Sequence, residues 1–449
     1  MHVDRNIPAI RPYRVVILTL DSHAAGPCAT AAGRLARDYP GLDLSVHAAA
    51  EWGACPEALG AARAAIAGAD IVLANLLFLE EHISAILPDL QARRAQCDAM
   101  IGIIADAQIV RLTRMGTLDM ARPDSALGRL MKKLRGAGKS GTDDGARKMK
   151  MLRRLPRILR LIPGKAQDLR AWFLTMQYWL GASDDNIEAM VRFLIGRYCR
   201  FEAWRGGRAP APLDYPDCGL YHPDLAARIT EDAADLPQPE GAAGTVGLLM
   251  MRSYVLSGDT AHYDAVIRAL QARGLRVLPA FAGGLDGRPA INAFFRDETG
   301  PKIDTLLSLT GFSLVGGPAY NDNAAALEVL GALDIPYIAA HPLEFQTLGQ
   351  WAGAPQGLGP IETTMLIALP ELDGATNPTV FGGRHGPGGC AGCPRGCGIE
   401  SHAPGAEKRM APCPERIERL AGRVARQVAL RRCLAPHILR ADRPVARVV

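Results

Sequence analysis

In two blocks of this chain short, largely apolar runs alternate with amphipathic ones, and no other feature narrows the choice of fold as far. The first set of apolar runs is VVILTLD (Val15 to Asp21), LDLSVHA (Leu42 to Ala48), ADIVLANLLF (Ala69 to Phe78) and AMIGIIAD (Ala99 to Asp106), separated by Ala-rich helical stretches. A strand that is apolar on both faces must be covered on both faces, and alternation with helices makes the strands parallel. The second set is TVGLLMM (Thr245 to Met251), LRVLPAF (Leu275 to Phe281), KIDTLLSLTG (Lys302 to Gly311) and DIPYIAA (Asp334 to Ala340). Between them lie DTAHYDAVIRALQARG, a helix with an acidic start and a glycine stop, and NAAALEVLGAL. The chain therefore reads as α/β, with tandem doubly wound parallel-sheet (flavodoxin-like) domains and a helical basic insertion between them.

The boundaries follow from where the alternation stops. Residues 1–120 form the first α/β domain and residues 121–205 a helical, basic segment. Residues 206–244, rich in Pro, Gly, Asp and Ala, read as a linker. Residues 245–385 begin the second α/β domain, and 386–449 hold a cysteine loop, a helix and an aberrant tail. The basic segment contains GAGKS, but the glycine that a phosphate-binding loop needs five positions before Gly138 is Lys133, and no buried strand precedes it. No nucleotide loop is expected there.

Composition removes several function classes. A net charge of +5 with five Trp in 449 residues does not describe a nucleic-acid platform. The amino terminus does not read as a secretory signal, and no run approaches the roughly 18 apolar residues of a membrane span. A cytoplasmic protein is expected, in which Cys28, Cys55, Cys97, Cys199 and Cys218 are small buried hydrophobes.

Polar residues that could carry chemistry sit at strand ends. Asp21, Ser22 and His23 follow the first strand, where they either meet a ligand or cap a helix. In the second domain Arg252, Ser253, Tyr254, Asp259, His262, Glu344, Glu362, Glu371, Asp373, Arg384 and His385 fall in such turns, among glycines such as Gly283, Gly311 and Gly316. A separate signal is GGCAGCPRGCGIESHAPGAEKRMAPCP, with thiols at Cys390, Cys393, Cys397 and Cys413 in a C-x2-C-x3-C-x15-C arrangement. Four thiolates so spaced suit a [4Fe-4S] cluster, with Zn2+ as the alternative and reduced surface thiols as the third reading.

Three runs carry a resemblance to a known family. They are TVGLLMMRSYVLSGDTAHYDAVIRALQARGLRVLPAFAGGLDGRPA from Thr245, SLTGFSLVGGPA from Ser308, and GLGPIETTMLIALPELDGATNPTVFGGRHGP from Gly357. They resemble the magnesium/cobaltochelatase large-subunit family, and specifically the amino-terminal third of its magnesium chelatase H subunit. The resemblance implies a ligase forming a nitrogen–metal bond: ATP-dependent insertion of Mg2+ into protoporphyrin IX in bacteriochlorophyll biosynthesis. It implies the AAA+ ATPase I and D subunits as partners, which handle the ATP, and a soluble subunit that is cytoplasmic or peripheral to the membrane. Cobaltochelatase large subunit, or a non-catalytic tetrapyrrole-binding or iron–sulfur sensing module, are the alternatives. On this resemblance Arg252, Tyr254, His262, Glu371, Asp373, Arg384 and His385 are candidate substrate-binding residues, with Glu371 and Asp373 of PELDG foremost. Catalytic residues are expected beyond residue 449.

Near the end, PERIERLAGRVARQVALRR places Ile417, Leu420, Val424 and Val428 on one helical stripe. The following CLAPHILRADRPVARVV breaks that pattern, and so the expectation is a truncated chain that does not insert magnesium alone. A further expectation is bare apolar surface near Val424 and beyond.

Overall fold

A computed structural model describes residues 12–20, 24–52, 56–121, 164, 166–283, 285–317, 320–384 and 410–441. They divide into two compact units that meet at residues 215 and 216.

In the first unit, strands β1 (Tyr13–Thr19), β2 (Leu42–Ala48), β3 (Ile71–Asn75) and β4 (Ala99–Ile103) are parallel in the order β2-β1-β3-β4. The short strands β5 (Arg114–Met115) and β6 (Leu118–Asp119) extend the β4 edge antiparallel. Alternation of side chains across a strand explains the two cores. Val15 and Ile17 of β1 pack with helices α1 (Ala25–Asp38), α5 (Ala166–Gly181) and α6 (Asp184–Tyr198). Val16 and Leu18 pack on the other face with α2 (Pro56–Gly68) and α3 (Glu80–Arg93), and the short α4 (Ala107–Arg111) follows β4. The strong helical reading of the segment after Arg122 thus holds for α5 and α6. The Ser183 hydroxyl starts α6 by accepting from Asn186 N at 3.2 Å, beside Asp184 and Asp185. Most of the basic run, including Lys139, lies outside the described residues, as do Asp21, Ser22 and His23.

The second unit is built on an eight-stranded sheet of order β18-β17-β16-β13-β9-β10-β7-β8. Its parallel middle is β9 (Gly244–Met251), β10 (Leu275–Ala282), β13 (Thr305–Ser308), β16 (Tyr337–Thr347) and β17 (Thr376–Arg384). Antiparallel edges come from β7 (Cys218–Tyr221) and β8 (Ile229–Thr230) on one side and β18 (Met410–Pro412) on the other. Two small ribbons, β11 (Arg296–Asp297) with β12 (Gly300–Pro301) and β14 (Gly316–Gly317) with β15 (Tyr320–Asn321), stand apart. This corrects two expectations. The sheet is mixed, and the stretch 206–244 that reads as a linker contributes β7 and β8 to it. Pro, Gly and Asp dominate that stretch, yet CGLY carries enough apolar surface to close the β10 edge.

Helix α7 (Arg252–Ser257) ends at Gly258 in the left-handed region, with φ of 71°. It leads into α8 (Ala261–Gln271), which covers one face of the sheet together with α11 (Pro414–Ala441). The opposite face is covered by the 288–295 segment and α9 (Asn323–Leu333). The stripe Ile417, Leu420, Val424 and Val428 lies in the first of these cores, each residue no more than 2% exposed. At Val424 and Val428 the expected bare surface is therefore absent, because the stripe closes the unit's own sheet, whereas Leu430 beyond them is exposed. The backbone of α11 also continues to Ala441, through the segment that the sequence pattern marks as a break.

Candidate functional site

Chain order and sheet order together locate the crevice. From β9 the chain crosses to β10 on one side and then returns to β13 on the other, so the direction of winding reverses between β9 and β13. Loops leaving the carboxyl ends of strands on either side of such a reversal diverge, and the gap between them is where open α/β sheets receive ligands. A shallow, half-open cleft occupies that place. Its walls are Leu249 to Met251 at the end of β9, Ala282, Leu285 and Asp286 after β10, and Thr310 to Leu314 after β13.

The cleft is mainly apolar, and its polar lining groups Asp286, Thr310 and Ser313 are hydrogen-bonded. Behind it Asp373 is buried: its Oδ2 accepts from Ser313 Oγ at 2.6 Å and Leu314 N at 2.8 Å, which fastens the loop after β13, while its Oδ1 has no partner among the described residues. Burial raises the Asp373 pKa, opposed by these two hydrogen bonds. Asp286 holds Arg288 through both carboxylate oxygens, at 2.9 and 2.7 Å. Thr310 Oγ1 lies 3.0 Å from Ser308 Oγ.

A second polar group lies at the carboxyl ends of β16 and β17. The pairing of these strands is irregular between Leu343 and Thr347, and this bulge presents Glu344, Phe345 and Gln346. Tyr254 donates to Glu344 Oε1 at 2.8 Å, and its ring stands edge-on to His262, 5.3 Å between centroids. Glu362 is buried; its Oε1 accepts from Phe345 N and Gln346 N at 3.1 and 3.0 Å, and Oε2 has no partner among the described residues. Burial raises the Glu362 pKa, while those backbone donors and Arg384 oppose it. Arg384 donates to Phe345 O at 2.7 Å. A π-helical turn at Thr363–Ala368 follows directly, a departure from α geometry that recurs at functional sites.

The candidate residues thus separate. Tyr254, His262 and Arg384 gather at the β16–β17 end, together with Glu344 and Glu362. Arg252 points its Nε to Pro216 O at 2.9 Å, beside the cleft wall at Met251. The PELDG segment is not extended: α10 (Leu369–Leu372) ends there, with Glu371 exposed and Asp373 buried, so the two carboxylates face different surroundings. His262 is fully buried against Tyr254, Tyr263 and Phe381, with neither ring nitrogen hydrogen-bonded among the described residues. Burial lowers its pKa to about 3. His385, Cys390, Cys393 and Cys397 lie outside the described residues. Cys413 is half-buried just after β18, its backbone N donating to Phe381 O at 2.9 Å. Among the described residues no three His, Cys, Asp or Glu side chains converge as metal ligands. Sequence reasoning passed over His341, a histidine inside an apolar strand run and buried in β16.

Residues 176–437 match the family described as CobN/Magnesium Chelatase, and residues 14–173 match a domain of unknown function. The chain belongs to the CobN/magnesium chelatase family. It is 63% identical over 434 residues to the magnesium-chelatase H subunit of Cereibacter sphaeroides, covering 96% of this chain and 36% of that protein. The H subunit of Rhodobacter capsulatus is 62% identical over 432 residues, covering 95% and 36%. The chain spans about a third of the length of these curated relatives. Among solved structures, the catalytic subunit of cobaltochelatase from Mycobacterium tuberculosis matches with a TM-score of 0.50 and 17% identity, over 94% of this chain and 28% of the other. That likeness is one of fold. No helix among the described residues is long and apolar enough to cross a membrane.

Proposed function

We propose that this chain forms the amino-terminal part of the porphyrin-binding H subunit of magnesium chelatase. In the complete subunit Mg2+ replaces two pyrrole protons of protoporphyrin IX, and ATP is hydrolysed on the partner I and D subunits. The observation that carries this reading is identity above 60% to two H subunits across almost the whole chain. With cobaltochelatase the solved-structure match shares only the fold, at 17% identity.

The cleft between β9 and β13 supports the reading by its chemistry. A tetrapyrrole is a flat apolar body, and walls of Leu249, Met250, Phe312 and Leu314 offer dispersion contact without unpaired polar groups. The cleft is shallow, so on this reading it contributes one part of a wall against the ligand and the remainder of the subunit supplies the rest. The protein is placed in the cytoplasm on this reading. The thiols Cys390, Cys393, Cys397 and Cys413 remain a sequence-based proposal for a [4Fe-4S] cluster or Zn2+; the described residues supply one of the four, and no step of the reaction is routed through them.

Titration of the chain with protoporphyrin IX, followed by fluorescence quenching, tests the proposal. Saturable quenching is expected, weakened when Leu285 at the cleft lip is changed to Glu. Preferential binding of a corrin precursor over protoporphyrin would instead place the chain with cobaltochelatase.

A further inference from the structure

At the carboxyl edge of the first unit's sheet two large apolar side chains stand side by side in solvent, Phe78 and Leu79, 55% and 45% exposed. They belong to the turn between β3 and α3, and that turn is held in place. Leu76 and Ile104, which follow β3 and β4, both adopt left-handed backbone, with φ of 53° and 45°, and Leu76 N donates to Ile104 O at 2.9 Å. Asp106 N donates to Leu77 O at 2.9 Å, and the Leu77 side chain is buried. Bulky residues keep that backbone only where the surroundings over-determine it, so the fold fixes the shape that sends Phe78 and Leu79 outward. The rim of the patch is acidic. Glu80 and Glu81 are exposed beside the pair, Asp106 caps α4, and Glu51 follows β2. Among the described residues of these turns, 49–52, 56–57, 76–81 and 104–108, there is no Lys or Arg. Carboxylates at helix starts offset the helix dipole, which accounts for Glu80, Glu81 and Asp106. It does not account for an exposed phenylalanine and leucine among them.

We propose that this acid-rimmed apolar patch is the docking surface for the chain's own basic segment, engaged through residues 149–162. The segment 122–163 lies outside the described residues, and its sequence supplies what the patch lacks. It holds 13 of the chain's 51 Lys and Arg but three of its 46 Asp and Glu, which leaves the rest of the chain with more acids than bases. Within it, MKMLRRLPRILRLI sets Leu152, Leu155, Leu159 and Ile162 three and four positions apart, with Arg153, Arg154, Arg157 and Arg160 between them. Apolar side chains can thus meet Phe78 and Leu79 while guanidinium groups meet the carboxylate rim. The connection permits it. The segment departs after Ala121, beside β6, and returns at Gly164, before α5, so both ends belong to the first unit. The strands β5 and β6 adjoin the start of β4, whereas the patch lies at the other end of the sheet. A chain that can extend roughly 3.3 Å per residue over 122–163 exceeds by far the roughly 17 Å of five-residue β4. A tether of this kind also presents the segment at an effective concentration near the millimolar range, so a modest contact suffices to hold it. The proposal is independent of the tetrapyrrole reading.

The test uses the full chain with Phe78 replaced by the photoreactive amino acid benzoylphenylalanine, irradiated and mapped by peptide mass spectrometry. Cross-links to residues 149–162 of the same chain are expected, and they should weaken in about 1 M salt, which screens the charged rim. Cross-links that fall on other residues, that join two copies of the chain, or that fail to form overturn the proposal. Trypsin supplies an independent reading, because cleavage after Arg153 and Arg154 follows the undocked fraction. Phe78→Ser combined with Leu79→Ser changes two exposed positions, leaves the circular dichroism as it was, and is expected to speed that cleavage about tenfold. Glu80→Lys combined with Glu81→Lys should speed it by about threefold at low salt and leave it unchanged at about 1 M salt. A cleavage rate that ignores the loss of Phe78 and Leu79 also overturns the proposal.

Discussion

Acidification should destabilise the second unit through His262, and the size of the effect follows from its burial. The ring is 0% exposed and packs 5.6 Å from Phe381 and 3.9 Å from Tyr263, with no partner for either nitrogen. Desolvation lowers its pKa from 6.5 to about 3. The folded chain thus keeps the ring neutral while the unfolded chain protonates it as pH falls below 6.5. The unfolded state then binds more protons, so the contribution is fully present above 6.5 and is lost as pH falls toward 3. At about 1.4 kcal/mol per pH unit, the loss is about 2 kcal/mol near pH 5. Urea unfolding followed by circular dichroism near pH 7.5 and near pH 5, for the native chain and for His262→Leu, measures it. The native chain should lose about 2 kcal/mol more than the variant between the two conditions. Carboxylates and His341 titrate in both proteins and cancel in the comparison. An identical pH dependence for the two chains would refute the reasoning, since the ring would then be charged or partnered in the folded state.

Other expectations rest on single contacts. Asp373→Ala strands the buried donors Ser313 Oγ and Leu314 N and should cost about 2–5 kcal/mol, whereas Glu371→Ala should fall within about 0.5 kcal/mol; equal effects in urea unfolding would contradict the division between them. A Cβ at Gly382 would meet Ala411 O at 2.8 Å and His262 Cβ at 2.9 Å, so Gly382→Ala should destabilise by about 1–3 kcal/mol, read as a lowered urea midpoint. Anaerobic purification with iron, sulfide and zinc analysis will decide the cysteine motif; a [4Fe-4S] cluster predicts iron and sulfide in equal amounts that vanish in Cys393→Ser, and the absence of iron, sulfide and zinc removes the proposal.

Much of the fold was written in local patterns. Strand β2 coincides with the alternating LDLSVHA at the sheet edge and α9 with NAAALEVLGAL, and β9 and β10 fall within one residue of TVGLLMM and LRVLPAF, because uninterrupted apolar runs such as these last two, bounded by polar turns, have few other ways to be buried. The stripe of α11 was equally plain, but not what it covers: periodicity names a buried face, and only the tertiary packing showed that the unit's own sheet lies under Val424 and Val428.

The site was less legible, for a physical reason. A sequence records which polar residues stand near strand ends but not the rotation of each side chain, so Glu371 and Asp373, two positions apart, read as a pair. The helix end at Leu372 sends one to solvent and the other to the loop after β13. Family membership and the alternation of strands and helices were fixed by the order of residues. The order of strands in the sheet, and with it the cleft between β9 and β13, the isolation of His262 and the burial of His341, were decided only when segments distant in sequence packed together, because burial and hydrogen-bond partners belong to neighbours in space.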